Sequence, residues 1–242
     1  MSRKSKRNRP ADTQAAEAGP TSVAQGRGRR AILVGAIAFL AVAAVAGVLL
    51  FGGERSAPTQ STDPARAAAL ASEHSPSHGE AGAKVHVVEF LDPACETCAL
   101  FYPIVQGLMA ENPGKIRLST RHVAFHEGSE FPVRVLEASR KQDKYWQTLE
   151  ALFGSQGRWA PNHAVQQDLV LQAVSGVGLN MDQLMADMNS PEVTQRMARD
   201  MSDAATLKVT ATPEYFVNGR PLPEFGDEQL VKLVREEVAR AY

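Results

Sequence analysis

The sequence predicts an α/β domain with a long helical block inside it, preceded by one N-terminal transmembrane helix. Three observations carry that expectation. Residues 31–53 hold no charged side chain and are rich in Ala, Val, Leu and Ile. Lys84–Leu91 has the β-branched density of a buried strand, Lys115–Phe125 follows as a second, and strand patterning then returns only at Glu214–Val217, after a long helical stretch. The 242 residues, 44% hydrophobic and 22% charged, suit one sizeable folded domain with appendages.

Taken in order, residues 1–30 carry eight Lys/Arg against Asp12 and Glu17 and read as a basic cytoplasmic tail. The 23 residues of 31–53 are long enough to span a bilayer, longer than the apolar core of a cleaved signal peptide, and read as a signal anchor. The many alanines leave cleavage open. Only Glu54 and Arg55 flank the far end, so the positive-inside rule keeps the basic tail in the cytoplasm. The expectation is a single-pass protein of the inner (cytoplasmic) membrane, its C-terminal domain facing the periplasm or the cell exterior. Residues 54–82, rich in Ser, Pro, Ala and Gly, read as a flexible tether that could hold a short helix at Ala65–Ser72. Beyond residue 30 there are 18 basic and 25 acidic residues, with no basic stripe, which argues against a nucleic-acid partner.

The folded domain is expected over 83–242. After the first strand, Asp92 and Pro93 end the extended run and a helix follows from about Cys95 to Glu111. Lys115–Phe125 reads as a second strand. Phe131–Phe153 reads as a helix with Gly154 as its stop, followed by weaker helical patterns at Ala164–Val174 and Met181–Met188. Ser190, Pro191 and Glu192 read as N-cap, first helical residue and first-turn acid of a helix to about Leu207. Glu214–Val217, a turn at Asn218-Gly219 and Arg220–Pro223 form a hairpin, and Asp227 caps a final amphipathic helix.

The only two cysteines form Cys95-Glu96-Thr97-Cys98. At the start of a helix, Cys95 would face unpaired N–H groups and the positive end of the dipole, which favour its thiolate, while Cys98 lies one turn deeper. A structural disulfide this short staples almost no chain, and a structural zinc site needs four ligands where two cysteines exist. Redox exchange is the expected chemistry. The alternative is a copper or zinc binding module or metallochaperone that uses both thiolates, with His74 and His78 as further ligands. His86, His122 and His126 read as surface or satisfied residues, His163 gives no signal, and Trp146 and Trp159 read as packing.

The run Val88–Cys98, with Pro103 in the following helix and Thr212-Pro213 before Glu-Tyr-Phe-Val-Asn-Gly219, resembles the thioredoxin superfamily and, within it, the DsbA-like thiol–disulfide oxidoreductases. The resemblance covers residues 83–242. It implies a thioredoxin-like fold with a helical domain inserted at about 130–208, which the 115 residues between Cys98 and Pro213 accommodate. It implies that Pro213 is a cis-proline opposite the cysteines, with Thr212 before it, where sequence alone would favour a trans bond. Glu89, six residues before Cys95, matches the family's buried acid; read bottom-up, it shares a strand face with Val85, Val87 and Leu91, or is a solvated strand-end residue. The resemblance further implies no cofactor, protein thiols and disulfides as substrates, and a membrane or soluble redox partner; the tether, too short and too polar for a dimerisation domain, points to a monomer. Strongly oxidising relatives place a histidine between the cysteines. Glu96 here opposes the helix N-terminus, so Cys95 is expected to ionise below a free cysteine but above those relatives.

Overall fold

The computed structural model of the chain describes residues 63–71 and 73–242; the basic tail, the apolar segment 31–53 and the first part of the tether lie outside the described residues. Among the described residues no helix is long and apolar enough to cross a membrane. The elements run α1 (Pro64–Ala71), β1 (Ser77–Gly79), β2 (Val85–Leu91), α2 (Glu96–Glu111), β3 (Ile116–His122), α3 (Glu130–Ser139), α4 (Tyr145–Gly154), α5 (Gln156–Trp159), α6 (Gln167–Val174), α7 (Met181–Met188), α8 (Pro191–Leu207), β4 (Glu214–Val217), β5 (Arg220–Pro221) and α9 (Asp227–Ala241).

The five strands form one mixed sheet in the order β1-β3-β2-β4-β5, with β2 and β3 parallel and the other pairs antiparallel. β2 is central and buried on both faces, which is why it reads as a nearly continuous apolar run. One face, including Val85, Val87 and Val217, packs on Phe101 and Val105 of α2 and on Leu230 and Val234 of α9. The opposite face, with Val88, Phe90 and Phe216, packs on Ala69 of α1 and on Ala204 and Leu207 of α8. Each large apolar side chain buried in this way contributes roughly 2 kcal/mol of transfer free energy.

A third core belongs to the helical block between β3 and β4. Leu136, Leu149, Leu152, Trp159, Val174 and Leu184 form its centre, and it extends to Leu91, Ala94, Cys95 and Cys98. The block is therefore packed directly on the cysteine loop.

Several local expectations need correction. Residues 64–71 and 73–79, read as tether, fold onto the domain, the first of them as the short helix the sequence allowed. Ser77–Gly79 pairs with β3, and Arg121, fully buried, donates to Ala69 O at 2.8 Å and to Asp200 at 2.6 Å, joining α1 and α8 to the sheet. Arg140 Nη2 also holds His74 O at 2.7 Å. No local pattern announces these long-range anchors. The predicted helix over Phe131–Phe153 is two helices, because Asp143 adopts left-handed φ of 55° after a 3-10 turn at Arg140–Gln142. The predicted strand to Phe125 stops at His122, and the final helix is N-capped by Gly226. Ser190 does cap α8, accepting from Val193 N at 3.4 Å with Pro191 in the first turn. The Asn218-Gly219 turn has φ of 49° and 78°, the paired positive values of a type I′ hairpin.

Candidate active site

The site forms where β2 meets α2. Asp92 ends the strand, and its carboxylate accepts from Ala94 N at 2.8 Å, folding the loop so that Cys95 occupies the N-cap of α2 with φ −78° and ψ 116°. A cysteine is a poor cap, and its side chain makes no capping hydrogen bond. The first-turn N–H groups of α2 are then left to face the sulfur itself. Pro103 lies inside α2, as in the resemblance. Facing the loop, the Thr212–Pro213 peptide bond is cis and Pro213 is buried, and Cys95 Sγ lies 3.2 Å from Thr212 O.

Cys95 is 5% exposed and Cys98 fully buried, so the order of accessibility matches the expectation, although Cys95 is more covered than a helix end suggests. The two thiols titrate in opposite directions. A hydrogen bond from the Cys98 thiol draws Cys95 down to about 5 against the cost of its burial; the Thr212 side chain, the Cys98 N–H and the His126 ring act in the same sense. Burial pushes Cys98 well above the ordinary thiol range, and the neighbouring charges of Cys95 and Glu89 add to the effect. One sulfur is prepared as thiolate, the other as a proton-bearing thiol.

Glu89 is 1% exposed, which rules out a solvated strand end. Its cross-strand neighbour is Tyr215, whose hydroxyl donates to Glu89 Oε1 at 2.8 Å. Burial raises the Glu89 carboxyl to about 7, although the Tyr215 hydrogen bond opposes this; Cys95 raises it further. The group lies near enough to both sulfurs to act on each electrostatically. A carboxyl that titrates near neutrality beside a high-pKa thiol can take that thiol's proton.

The sequence reading missed several residues that build the site. Asp92 also accepts from Phe125 N, His126 N and Ser129 Oγ at 2.7, 3.0 and 2.9 Å, tying the loop after β3 to the cysteine loop. Gln156 reaches in from the helical block and donates to Pro93 O and Cys95 O at 2.7 and 2.9 Å. His163 Nδ1 donates to Ala94 O at 3.1 Å, and its ring stacks on that of His126 with centroids 4.5 Å apart. Of these, only Asp92 carried a usable signal, as an acid directly after a strand and before a cysteine. Glu96 is exposed and is not among the groups that shift Cys95.

A second buried polar cluster lies at the end of β3, on the sheet face that also carries Glu89. Thr120 Oγ1, Tyr145 OH and His122 Nε2 form a chain with 2.7 and 2.8 Å links, and His122 Nδ1 lies 2.9 Å from Glu137. Glu137 also accepts from Arg140 Nη1 at 2.8 Å and Arg196 Nε at 2.6 Å. The predicted metal ligands do not converge: His74 Nε2 is 2.8 Å from Asp200, and His78 packs edge-on against Trp146. Among the described residues the potential ligand clusters are His74, Asp200, Asp203 and His122, Glu137, Asp200; neither includes a cysteine, and arginines already neutralise their carboxylates.

A family model described as Thioredoxin matches residues 71–236. Among curated relatives, the Na(+)/H(+) antiporter NhaA of Herminiimonas arsenicoxydans is 30% identical over 67% of this chain, which spans only 25% of that relative's length. A probable disulfide bond formation protein D of Bacillus cereus is 26% identical over 67% of this chain and 78% of its own length. The crystal structure of a thioredoxin-like oxidoreductase from Silicibacter pomeroyi superposes with a TM-score of 0.62 at 31% identity, covering 72% of this chain and 98% of that one. The fold is shared with alpha-DsbA1 of Wolbachia pipientis, with a TM-score of 0.64 at 18% identity over 73% of this chain and 97% of that one. The chain thus belongs to the thioredoxin superfamily.

Proposed function

We propose that the protein is a membrane-anchored, extracytoplasmic enzyme that exchanges disulfides with protein thiols through Cys95 and Cys98. The observation that carries the reading is the opposed pair of sulfurs: Cys95 drawn down to about 5 at a helix N-terminus, and Cys98 held protonated beneath it beside Glu89. In the oxidising direction a substrate thiolate attacks Cys95 of the disulfide, the S–S bond breaks, and the electron pair leaves on Cys98, which takes the proton held by Glu89. A second substrate thiolate then attacks the substrate sulfur of the mixed disulfide and Cys95 leaves as thiolate. The substrate gains a disulfide and the enzyme becomes a dithiol.

The depressed Cys95 supports this direction, since a stabilised thiolate stabilises the reduced enzyme and makes its disulfide a better oxidant. The Bacillus cereus relative described as a probable disulfide bond formation protein supports it as well. Cis-Pro213 and the Thr212 backbone supply the edge on which a substrate segment pairs. Residues 31–53 would anchor the domain outside the inner membrane as a monomer, with a membrane or soluble partner reoxidising it.

The test is trapping in cells with Cys98→Ser, which leaves Cys95 unable to be resolved internally. Extracytoplasmic proteins joined to Cys95 by reducible bonds are expected. Absence of such adducts, or a stoichiometric metal bound through both cysteines in reduced protein, would overturn the reading. Protease access to the domain from the periplasmic side tests the topology.

A further inference from the structure

The Glu96-Thr97 dipeptide offers no cation to Cys95, yet a histidine from elsewhere in the fold is held against the cysteine loop. His126 lies in the loop between β3 and α3, and two contacts fix it there, one at its backbone and one at its ring. Its backbone N–H donates to Asp92 at 3.0 Å, the carboxylate that also holds Ala94 N. Its ring lies nearly parallel to that of His163, at 13° between planes and 4.5 Å between centroids. His163 is itself oriented by Nδ1–H donation to Ala94 O, the residue before Cys95. Both Asn162 and His163 hold left-handed backbone, with φ of 52° and 62°. Two successive non-glycine residues in that region cost conformational energy that packing must sustain, and such outliers cluster at functional sites.

We propose that His126, oriented by His163, is a positioning residue for disulfide exchange that donates an imidazole hydrogen bond to the Cys95 sulfur and favours its thiolate. This rests on Cys95 being the exchanging sulfur. Asp92 holds the His126 backbone and His163 holds its ring. His163 has already committed one N–H to Ala94 O, which leaves its ring as the plate that holds His126 in place. The effect does not depend on direction. Whether Cys95 attacks a substrate disulfide or leaves a mixed disulfide, negative charge develops on the same sulfur and the same donor meets it.

The experiment measures the Cys95 thiolate titration and the equilibrium with glutathione in reduced His126→Phe, His126→Gln and His163→Ala proteins. Phenylalanine keeps the ring stack and removes the donor. We expect the glutathione equilibrium constant to shift about tenfold toward a less oxidising disulfide, with a parallel upward move of the thiolate titration. Glutamine keeps a neutral donor and should recover part of the shift. His163→Ala should give a smaller shift of the same sign. A folded His126→Phe protein indistinguishable from wild type in both quantities overturns the proposal. Should that variant not fold, the His126 ring resonances of the wild-type protein decide the matter: they must move with the Cys95 titration, and independence of it overturns the proposal. Failure of the parent reading looks different, because the wild-type protein would then form no reversible Cys95–Cys98 disulfide with glutathione.

Discussion

Glu89 and Glu137 are both 1% exposed, yet they titrate in opposite directions. Glu89 has one neutral donor, Tyr215, and its carboxyl rises to about 7. Glu137 is also penalised by burial, but His122, Arg140 and Arg196 surround it and bring it down to about 2. Burial is the same in both places, and the number of cations decides the outcome. The cluster around Glu137 is a satisfied scaffold. The one beneath the cysteines keeps a carboxyl that changes its charge near neutrality, which suits a proton acceptor.

The largest effect should come from the satisfied member. Glu137→Gln leaves His122, Arg140 and Arg196 around a neutral amide and is expected to cost about 3 kcal/mol in denaturant unfolding at pH 7. Because the folded pKa is depressed, this contribution is present above the ordinary value of 4.5 and is lost as pH falls through about 2, so wild type and variant converge in acid.

Glu89→Gln should act with the opposite sign. A raised carboxyl favours the folded state below 4.5, and that contribution is lost as pH rises through about 7. The variant is therefore expected to be more stable than wild type at pH 8, by up to about 3 kcal/mol, and equal to it below pH 4.5. Its resolution of a preformed mixed disulfide should slow above pH 7, where wild type has an ionised acceptor for the Cys98 proton. Equal stability and equal rates across the range would remove the contrast between the two carboxylates.

The thiolate gives a third comparison, between oxidation states. With Cys95 down from 9.0 to about 5, the reduced protein should exceed the oxidised one in stability by about 2 kcal/mol at pH 7. The difference grows as pH rises from about 5 toward 9 and vanishes below about 5, which urea midpoints of both forms at pH 7 and 4.5 would check. The smallest effect is Glu96→His. Glu96 is exposed and screened, so the change in the glutathione equilibrium should stay below about threefold, toward a more oxidising disulfide.

The parts of this arrangement that were legible in the sequence are those written locally or carried by the resemblance. Cys95 and Cys98 share one helical turn, Glu89 lies on the strand leading into them, and Ser190-Pro191 announces its own helix. What stayed hidden depends on contacts across long stretches of chain. Gln156 meets Cys95 O from 61 residues away, Tyr215 meets Glu89 from 126, and Arg121 reaches Asp200 from 79. Residues 64–71 and 73–79 looked like a tether because their composition is small and polar, yet their anchors, Arg121, Asp200 and β3, lie far along the sequence. His126 looked like a surface histidine for the same reason: its partners His163 and Asp92 come from other segments.

The central claim is that Cys95, not Cys98, is the sulfur prepared to react. Alkylation of the fully reduced protein at a series of pH values, with each cysteine resolved by mass spectrometry, tests it most directly. Cys95 is expected to be modified first at every pH, with a rate that is half-maximal near pH 5 and flat above neutrality, while Cys98 stays protected. Preferential modification of Cys98, or a Cys95 rate that rises only toward the ordinary thiol value of 9.0, would contradict the account.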